Sequence, residues 1–306
     1  MKTAIIDPGG GMKGVFCAGV TDGLLDEGIL FDLYAGVSAG SANLASYACR
    51  QRGRTHAFYL DYAMRPEYMS LSNFIRRKSY FDFDYIFGTL SSPGGENPLD
   101  VGVMMKSSSK FLFVATNALS GRPMYFDKSV VSADRLDVFK TSCSIPWLCT
   151  TRVMSSLPAA DGTLSDPLPI EKVLEAGAEK IVLILPSGLE AEKDGLMNST
   201  LVTLLRYSHK TGRYPGLAKA LQKRPAVYNQ SVLLVRQLKK EGRLLCVVPD
   251  SIHHVTPLTR DRKELESLYQ DGLRQAKKIR AFLQSSSVPF TKTGQQKQTA
   301  APGMIS

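Results

Sequence analysis

Gly36-Val37-Ser38-Ala39-Gly40 is the stretch on which the reading of this chain turns. Before it, Phe31-Asp32-Leu33-Tyr34-Ala35 is short and apolar enough for a buried strand. After it, Ser41 to Arg50 is rich in alanine and spaced as a helix. A G-x-S-x-G pentapeptide set between strand and helix is the context that a nucleophile elbow requires. Such a turn forces the serine into a strained conformation and leaves no room for side chains two residues to either side, where Gly36 and Gly40 stand. The Ser38 hydroxyl then projects above the strand end, beside the N-terminal amides of the helix. Five residues fit a plain strand–turn–helix as well as an elbow, so the rest of the chain decides.

Upstream, Ala4-Ile5-Ile6 predicts a first strand running into Asp7-Pro8-Gly9-Gly10-Gly11-Met12-Lys13-Gly14. A helix from Val15 to Glu27 is expected next, stopped by Gly28. Three glycines in a row expose backbone N–H groups that can hold an anion. Two chemistries use that arrangement. Gly9, Gly11 and Gly14 fit a dinucleotide fingerprint, and the same amides fit the oxyanion hole of an acyl hydrolase. The fingerprint needs an acidic residue at the end of the second strand. Asp32 stands at the start of that strand, and its expected end, Ala35, leads into the serine turn. A nucleotide-binding α/β protein therefore stays as the alternative, beside a catalytically degenerate interaction protein.

The GGGxKG form of residues 9–14, followed by GxSxG on the next strand, resembles the patatin-like phospholipases. A third family element, D-G-G or D-G-A, has its counterpart in Asp161-Gly162-Thr163, and Thr141 to Pro146 is similar to the family's small-residue helix ending in Ile-Pro. The resemblance covers residues 4–186 and implies an α/β three-layer sandwich with a mostly parallel central sheet. It implies a serine acyl-ester hydrolase working through an acyl-enzyme, without metal or cofactor, on lipid or other acyl-ester substrates. Ser38 is then the nucleophile and Asp161 the general base of a dyad. The amides of Gly10, Gly11 and Met12 form the oxyanion hole, with Gly9, Gly14, Gly36, Gly40 and Gly162 as motif glycines. Thr163 departs from the family's usual Gly or Ala, which crowds the turn. A free carboxylate, at about 3.9, is a poor base for a hydroxyl, so the dyad calls for a buried Asp161. His56, His209, His253 and His254 are the chain's only histidines, and His253 and His254 follow a predicted strand, where a triad histidine would sit. Lys13 and Asp166 are further charged residues near the motifs.

The remaining sequence sets the frame. The chain has 306 residues, 43% hydrophobic and 22% charged, the balance of a globular protein. Its net charge of +10 suits a solvated basic surface or contact with anionic lipid, and no nucleic-acid motif accompanies it. Apolar runs are strand-sized, and no signal peptide is recognisable at Met1 to Pro8, so a cytoplasmic or membrane-peripheral location is expected. Cys17, Cys49, Cys143, Cys149 and Cys246 lack metal-ligand spacing and suit a reducing compartment. Further strands are predicted at Phe111–Asn117, Arg122–Phe126, Ile181–Leu185 and Leu244–Pro249. Further helices are predicted at Pro169–Ala176, Gly212–Glu241 and Arg262–Leu283, with Gly53 closing the helix after the serine turn. One hydrolase domain over 1–284, its part 187–284 variable, and a disordered tail over 285–306 complete the expectation.

Overall fold

The structure is a computed structural model that describes residues 1–189, 214–251 and 254–285. Strands β1 (Thr3–Asp7), β2 (Leu33–Val37), β3 (Lys110–Asn117), β4 (Pro123–Phe126), β5 (Arg152–Met154), β6 (Leu157–Asp161), β7 (Lys180–Ile184) and β8 (Leu244–Val247) form an eight-stranded sheet. Its order is β5-β6-β3-β2-β1-β7-β8, with β4 paired to β3 off that path. β3, β2, β1, β7 and β8 are parallel, while β4 and β6 run antiparallel to β3, and β5 antiparallel to β6.

Nine helices are described: α1 (Val15–Asp26), α2 (Ala39–Ala48), α3 (Arg54–Leu60), α4 (Leu71–Arg77), α5 (Val101–Lys106), α6 (Asp137–Ser142), α7 (Ile170–Glu175), α8 (Pro215–Lys240) and α9 (Arg262–Gln284). Successive strand residues point to opposite faces, and both faces are covered. Ile5, Tyr34, Phe111 and Phe113 pack with α1, α2 and α9. Ala4, Ile6, Leu33 and Leu183 pack with Val173 of α7 and Val232 and Val235 of α8. This is the three-layer sandwich that the sequence implied.

Among the contacts that bind α9 to the core, two involve its backbone directly. α1 and α9 cross backbone to backbone: a Cβ at Gly19 would collide with the Tyr269 carbonyl, and one at Gly272 with that of Phe16. The fully buried Lys180 side chain reaches the far end of α9 and donates to the carbonyls of Phe282 (2.7 Å) and Ser285 (2.6 Å). A cation there satisfies orphan carbonyls and complements the helix dipole.

Several boundaries differ from the sequence reading. β2 begins at Leu33 and runs through Gly36 to Val37, so it does not end at Ala35. Asp32, just before it, accepts from the Thr3 amide (2.7 Å) and hydroxyl (2.9 Å) and pins β2 to β1. Gly53 does not close α2. That helix ends at Ala48, Arg50 takes the left-handed turn (φ 58°), and Gly53 starts α3. β5 and β6 are absent from the sequence reading: β5 is only three residues long, and Leu157-Pro158-Ala159-Ala160-Asp161 of β6 has a proline and no β-branched residue. Gly212 and all of the expected tail except Ser285 lie outside the described residues.

The α1–α9 crossing yields a stability prediction. Gly272→Ala gains helix propensity but adds a carbon against the Phe16 carbonyl, and overpacking of this kind costs about 1–3 kcal/mol. The urea midpoint is expected to fall in equilibrium unfolding. An unchanged midpoint would show that the helices separate without strain.

Candidate active site

β2 delivers Ser38 to the amino end of α2 in the left-handed region, φ 55° and ψ −133°. The conformation is possible because its flanks are bare. A Cβ at Gly36 would stand 2.5 Å from Ser41 Cα, and one at Gly40 would collide with the Asp7 carbonyl. The turn is pinned from a third side by α6. Ser142 Oγ accepts the Ser38 amide (2.9 Å), donates to the Val114 carbonyl (2.7 Å) and lies 3.0 Å from Ser41 Oγ. Sequence reasoning noticed the small residues of Thr141 to Pro146 but not this anchoring role.

Asp161 ends β6 and is fully buried. Its Oδ2 accepts the Ser38 hydroxyl at 2.7 Å. Its Oδ1 accepts both the amide and the hydroxyl of Thr163, each at 2.8 Å. Burial pushes its pKa up to about 6, while the Thr163 amide, the Ser38 hydroxyl, the Thr163 hydroxyl and the Arg224 charge pull the other way. Thr163 therefore contacts the carboxylate directly, beyond the crowding expected of it. Its carbonyl is held in turn by Arg224 Nε of α8 (2.8 Å). Gly162 is needed between them, since a Cβ there would collide with the Val114 carbonyl.

The glycine loop abuts the elbow. A Cβ at Gly9 would sit 2.6 Å from the Val37 carbonyl and 3.1 Å from Ser38 Cβ. A buried chain of groups braces it. Asp7 accepts the Gly9 amide (2.8 Å) and Asn43 Nδ2 (2.9 Å), and Asn43 Oδ1 accepts the Tyr59 hydroxyl (3.1 Å). Burial pushes the Asp7 pKa up. Gly14 lies where a Cβ would strike that same Tyr59 hydroxyl. Asp7, Asn43 and Tyr59 were missed, although an aspartate ending a buried strand must find donors. Among the described residues, the amides of Gly10 and Gly11 meet no acceptor, as an anion site needs. Met12 is different: its amide already donates to the Pro257 carbonyl (3.1 Å), so in this conformation it is not an open donor.

The other candidates lie apart. His56 bonds Glu266 (2.9 Å) and packs edge-on against Tyr269, tying α3 to α9. His254 is exposed in a coil, and His209 and His253 lie outside the described residues. Lys13 Nζ donates to Ser187 Oγ (3.0 Å). Asp166 accepts the Tyr125 hydroxyl (2.8 Å), and burial pushes its pKa up to about 6, with no bond to Ser38.

From Ser38 a narrow cavity of about 90 Å³ follows α2 past Ala42 and Ser46, walled by Phe58, Tyr68 and Phe83. On a measure of ~10–15 Å³ per water, it has room for a slender chain and not for a bulky group. α4 lies between two of its lining residues, Tyr68 and Phe81, and turns Leu71 (67% exposed) and Ile75 (65%) to solvent, followed by Arg76, Arg77 and Lys78. Chemically, a hydroxyl donated to a raised-pKa carboxylate can surrender its proton as its oxygen attacks a carbonyl carbon.

This chain has relatives among known proteins. It is 29% identical over 188 residues to the uncharacterized protein YjjU of Escherichia coli (strain K12), covering 60% of this chain and 51% of YjjU. It thus spans about half the length of that curated relative. The crystal structure of VipD from Legionella pneumophila superposes with a TM-score of 0.44 and 12% identity, over 91% of this chain and 66% of that one. A model for a domain of unknown function, DUF6363, matches residues 214–284, the span of α8, β8 and α9. The patatin-like phospholipase model matches residues 8–174, from the glycine loop through Asp161 to α7, and the chain belongs to that family.

Proposed function

We propose that the chain is a serine acyl-ester hydrolase of the phospholipase A or lipid acyl hydrolase type, working through Ser38 and Asp161. The observation that carries this reading is the 2.7 Å bond from the Ser38 hydroxyl to a buried carboxylate, beside unfilled glycine amides and at the mouth of an apolar cavity. Ser38 Oγ attacks the ester carbonyl carbon as its proton passes to Asp161, so no free alkoxide forms. The carbonyl electron pair moves onto oxygen, where the amides of Gly10 and Gly11 receive the negative charge. When the tetrahedral intermediate collapses, the C–O bond to the alcohol breaks and Asp161 returns the proton to that leaving oxygen. Water repeats the sequence on the acyl-enzyme, releasing the acid and restoring Ser38. Against the dinucleotide alternative stands Asp32, which is engaged with Thr3 and does not end β2.

The reading extends to residues 1–284 as one hydrolase domain, supported by β8 pairing with β7 and by the α1–α9 crossing. It also includes peripheral contact with an anionic membrane through α4, which combines outward apolar side chains with Arg76 and with Arg77, itself paired to Asp82, and is followed by Lys78. Among the described residues no helix is long and apolar enough to cross a membrane.

Three outcomes test it. Ser38→Ala is expected to abolish fluorophosphonate labelling and hydrolysis of short p-nitrophenyl esters, and Asp161→Asn to lower the rate by ~10²–10⁴ with the fold retained. His56→Ala, His209→Ala, His253→Ala and His254→Ala are each expected to keep most activity. A histidine variant as inactive as Ser38→Ala would replace the dyad with a triad.

The pH profile of kcat/KM is expected to rise through about 6, because the base acts as the carboxylate. Thr163→Ala removes a donor to the charged form, so the carboxylate is less favoured and the rise moves to higher pH. A shift to lower pH would contradict the role given to the Thr163 hydroxyl.

For α4, the triple change Leu71→Ser, Phe74→Ser and Ile75→Ser is expected to weaken cosedimentation with vesicles containing phosphatidylglycerol. Salt is expected to weaken wild-type binding. Equal binding to neutral and anionic vesicles would remove the electrostatic part of this reading.

A further inference from the structure

Arg54 is a buried charge without a countercharge. It is 8% exposed and enters no ion pair among the described residues. Its guanidinium has five N–H donors but meets only neutral acceptors: Ser46 Oγ (2.7 Å), Ser91 Oγ (2.9 Å) and the Asn97 carbonyl (3.1 Å). Nε is enclosed, without a hydrogen-bond partner among the described residues. The group lies over the Phe58 ring at 4.5 Å and lines the cavity that begins at Ser38. An isolated buried ion is costly, and proteins normally pair it or hold it for a ligand.

Its position along the cavity is fixed by α2. Ser38 stands at the amino end of that helix, and Ser46, which accepts from Arg54, lies eight residues further on. At ~1.5 Å per residue that is about 12 Å along the helix axis. An acyl group on Ser38 that runs down the cavity past Ala42 and Ser46 therefore approaches a cation. A plain hydrocarbon end would leave that charge unanswered.

We propose that the far end of this cavity binds an aliphatic carboxylate on Arg54. The geometry favours the end of the substrate's own acyl chain, so that the preferred esters are those of medium-length dicarboxylic acids. Both Nη2 hydrogens are already donated and Nε is enclosed, so the hydrogen left on Nη1 is the one a carboxylate can accept, in a charge-assisted bond stronger than a neutral one. A free fatty acid bound in reverse, its carboxylate on Arg54 and its tail towards Ser38, presents the same group. The inference rests on the hydrolase reading for the acyl step, but not for the binding itself.

The test compares p-nitrophenyl octanoate with the p-nitrophenyl monoester of octanedioic acid, equal in length and different only in the terminal group. Wild type is expected to show at least a ~10-fold higher kcat/KM for the acid-ended ester, each well-placed charged hydrogen bond contributing ~1.5–3 kcal/mol. Arg54→Met is expected to erase or reverse that preference, and Arg54→Lys to restore part of it. Competitive inhibition by octanoate that disappears in Arg54→Met, without any preference between the esters, would assign the site to a free fatty acid. A wild type with neither preference nor octanoate inhibition overturns the proposal, whatever the folding of the variants. Calorimetric titration of Ser38→Ala protein with octanedioate and octanoate separates the two readings. Binding without any hydrolysis by wild type would sink the hydrolase and keep the site, and hydrolysis without binding of either would do the reverse.

Discussion

Much of the architecture around the site answers to the backbone of one residue. A left-handed φ at a serine costs about 1–3 kcal/mol, and it persists only where the surroundings over-determine it. At Ser38 they do so from three directions. β2 and α2 fix the chain on either side, the bare flanks at Gly36 and Gly40 admit Ser41 and Asp7, and α6 supplies Ser142 to hold the amide. Because Ser142 is itself tied to Val114 of β3, the turn is referred back to the middle of the sheet. β6 pairs with that same strand and ends in Asp161. The hydroxyl and the carboxylate are thus two projections of one rigid pairing, separated in sequence but not in register.

Buried charge is handled in distinct ways across the molecule, and the contrast assigns the roles. Asp161 receives three donors yet keeps a raised pKa, because complete burial outweighs them. Asp7 is also buried, but its bonds run to a backbone amide and to Asn43, which makes it a brace for the glycine loop. Lys180 spends its charge on helix-end carbonyls and is structural. Of these four groups, Arg54 is the one that lines the cavity beginning at Ser38.

The parts of this plan that the sequence displayed are those where backbone geometry dictates residue type. Glycines at a tight turn and a strand's apolar run are local constraints, so the Ser38 turn and a mostly parallel sheet were legible, while Asp161 was singled out by the family resemblance. The rest depends on neighbours distant in the chain. Gly36 reads as a turn residue but lies inside β2, since pairing with Asp7 and Phe113 extends the ladder through it. Met12 reads as an oxyanion donor until Pro257, far along the chain, takes its amide. Gly53 reads as the close of a helix, and no local signal shows that Arg52 beside it pairs with Asp26 at the surface while Arg54 is enclosed. Desolvation is a property of the assembled structure, which is why the enclosure of Asp7 and Arg54 had no local signal.

The crossing of α1 and α9 bears on descent. α1 falls within the stretch matched by the hydrolase family and α9 within the stretch matched by the domain of unknown function. Yet their glycines meet with no side chain between them, and Lys180 clasps the far end of α9. A segment fitted that closely is a poor candidate for exchange between lineages, because a foreign helix would bring a side chain where none fits. The two stretches are bound to drift together, each accepting substitutions at the crossing only as the other makes room.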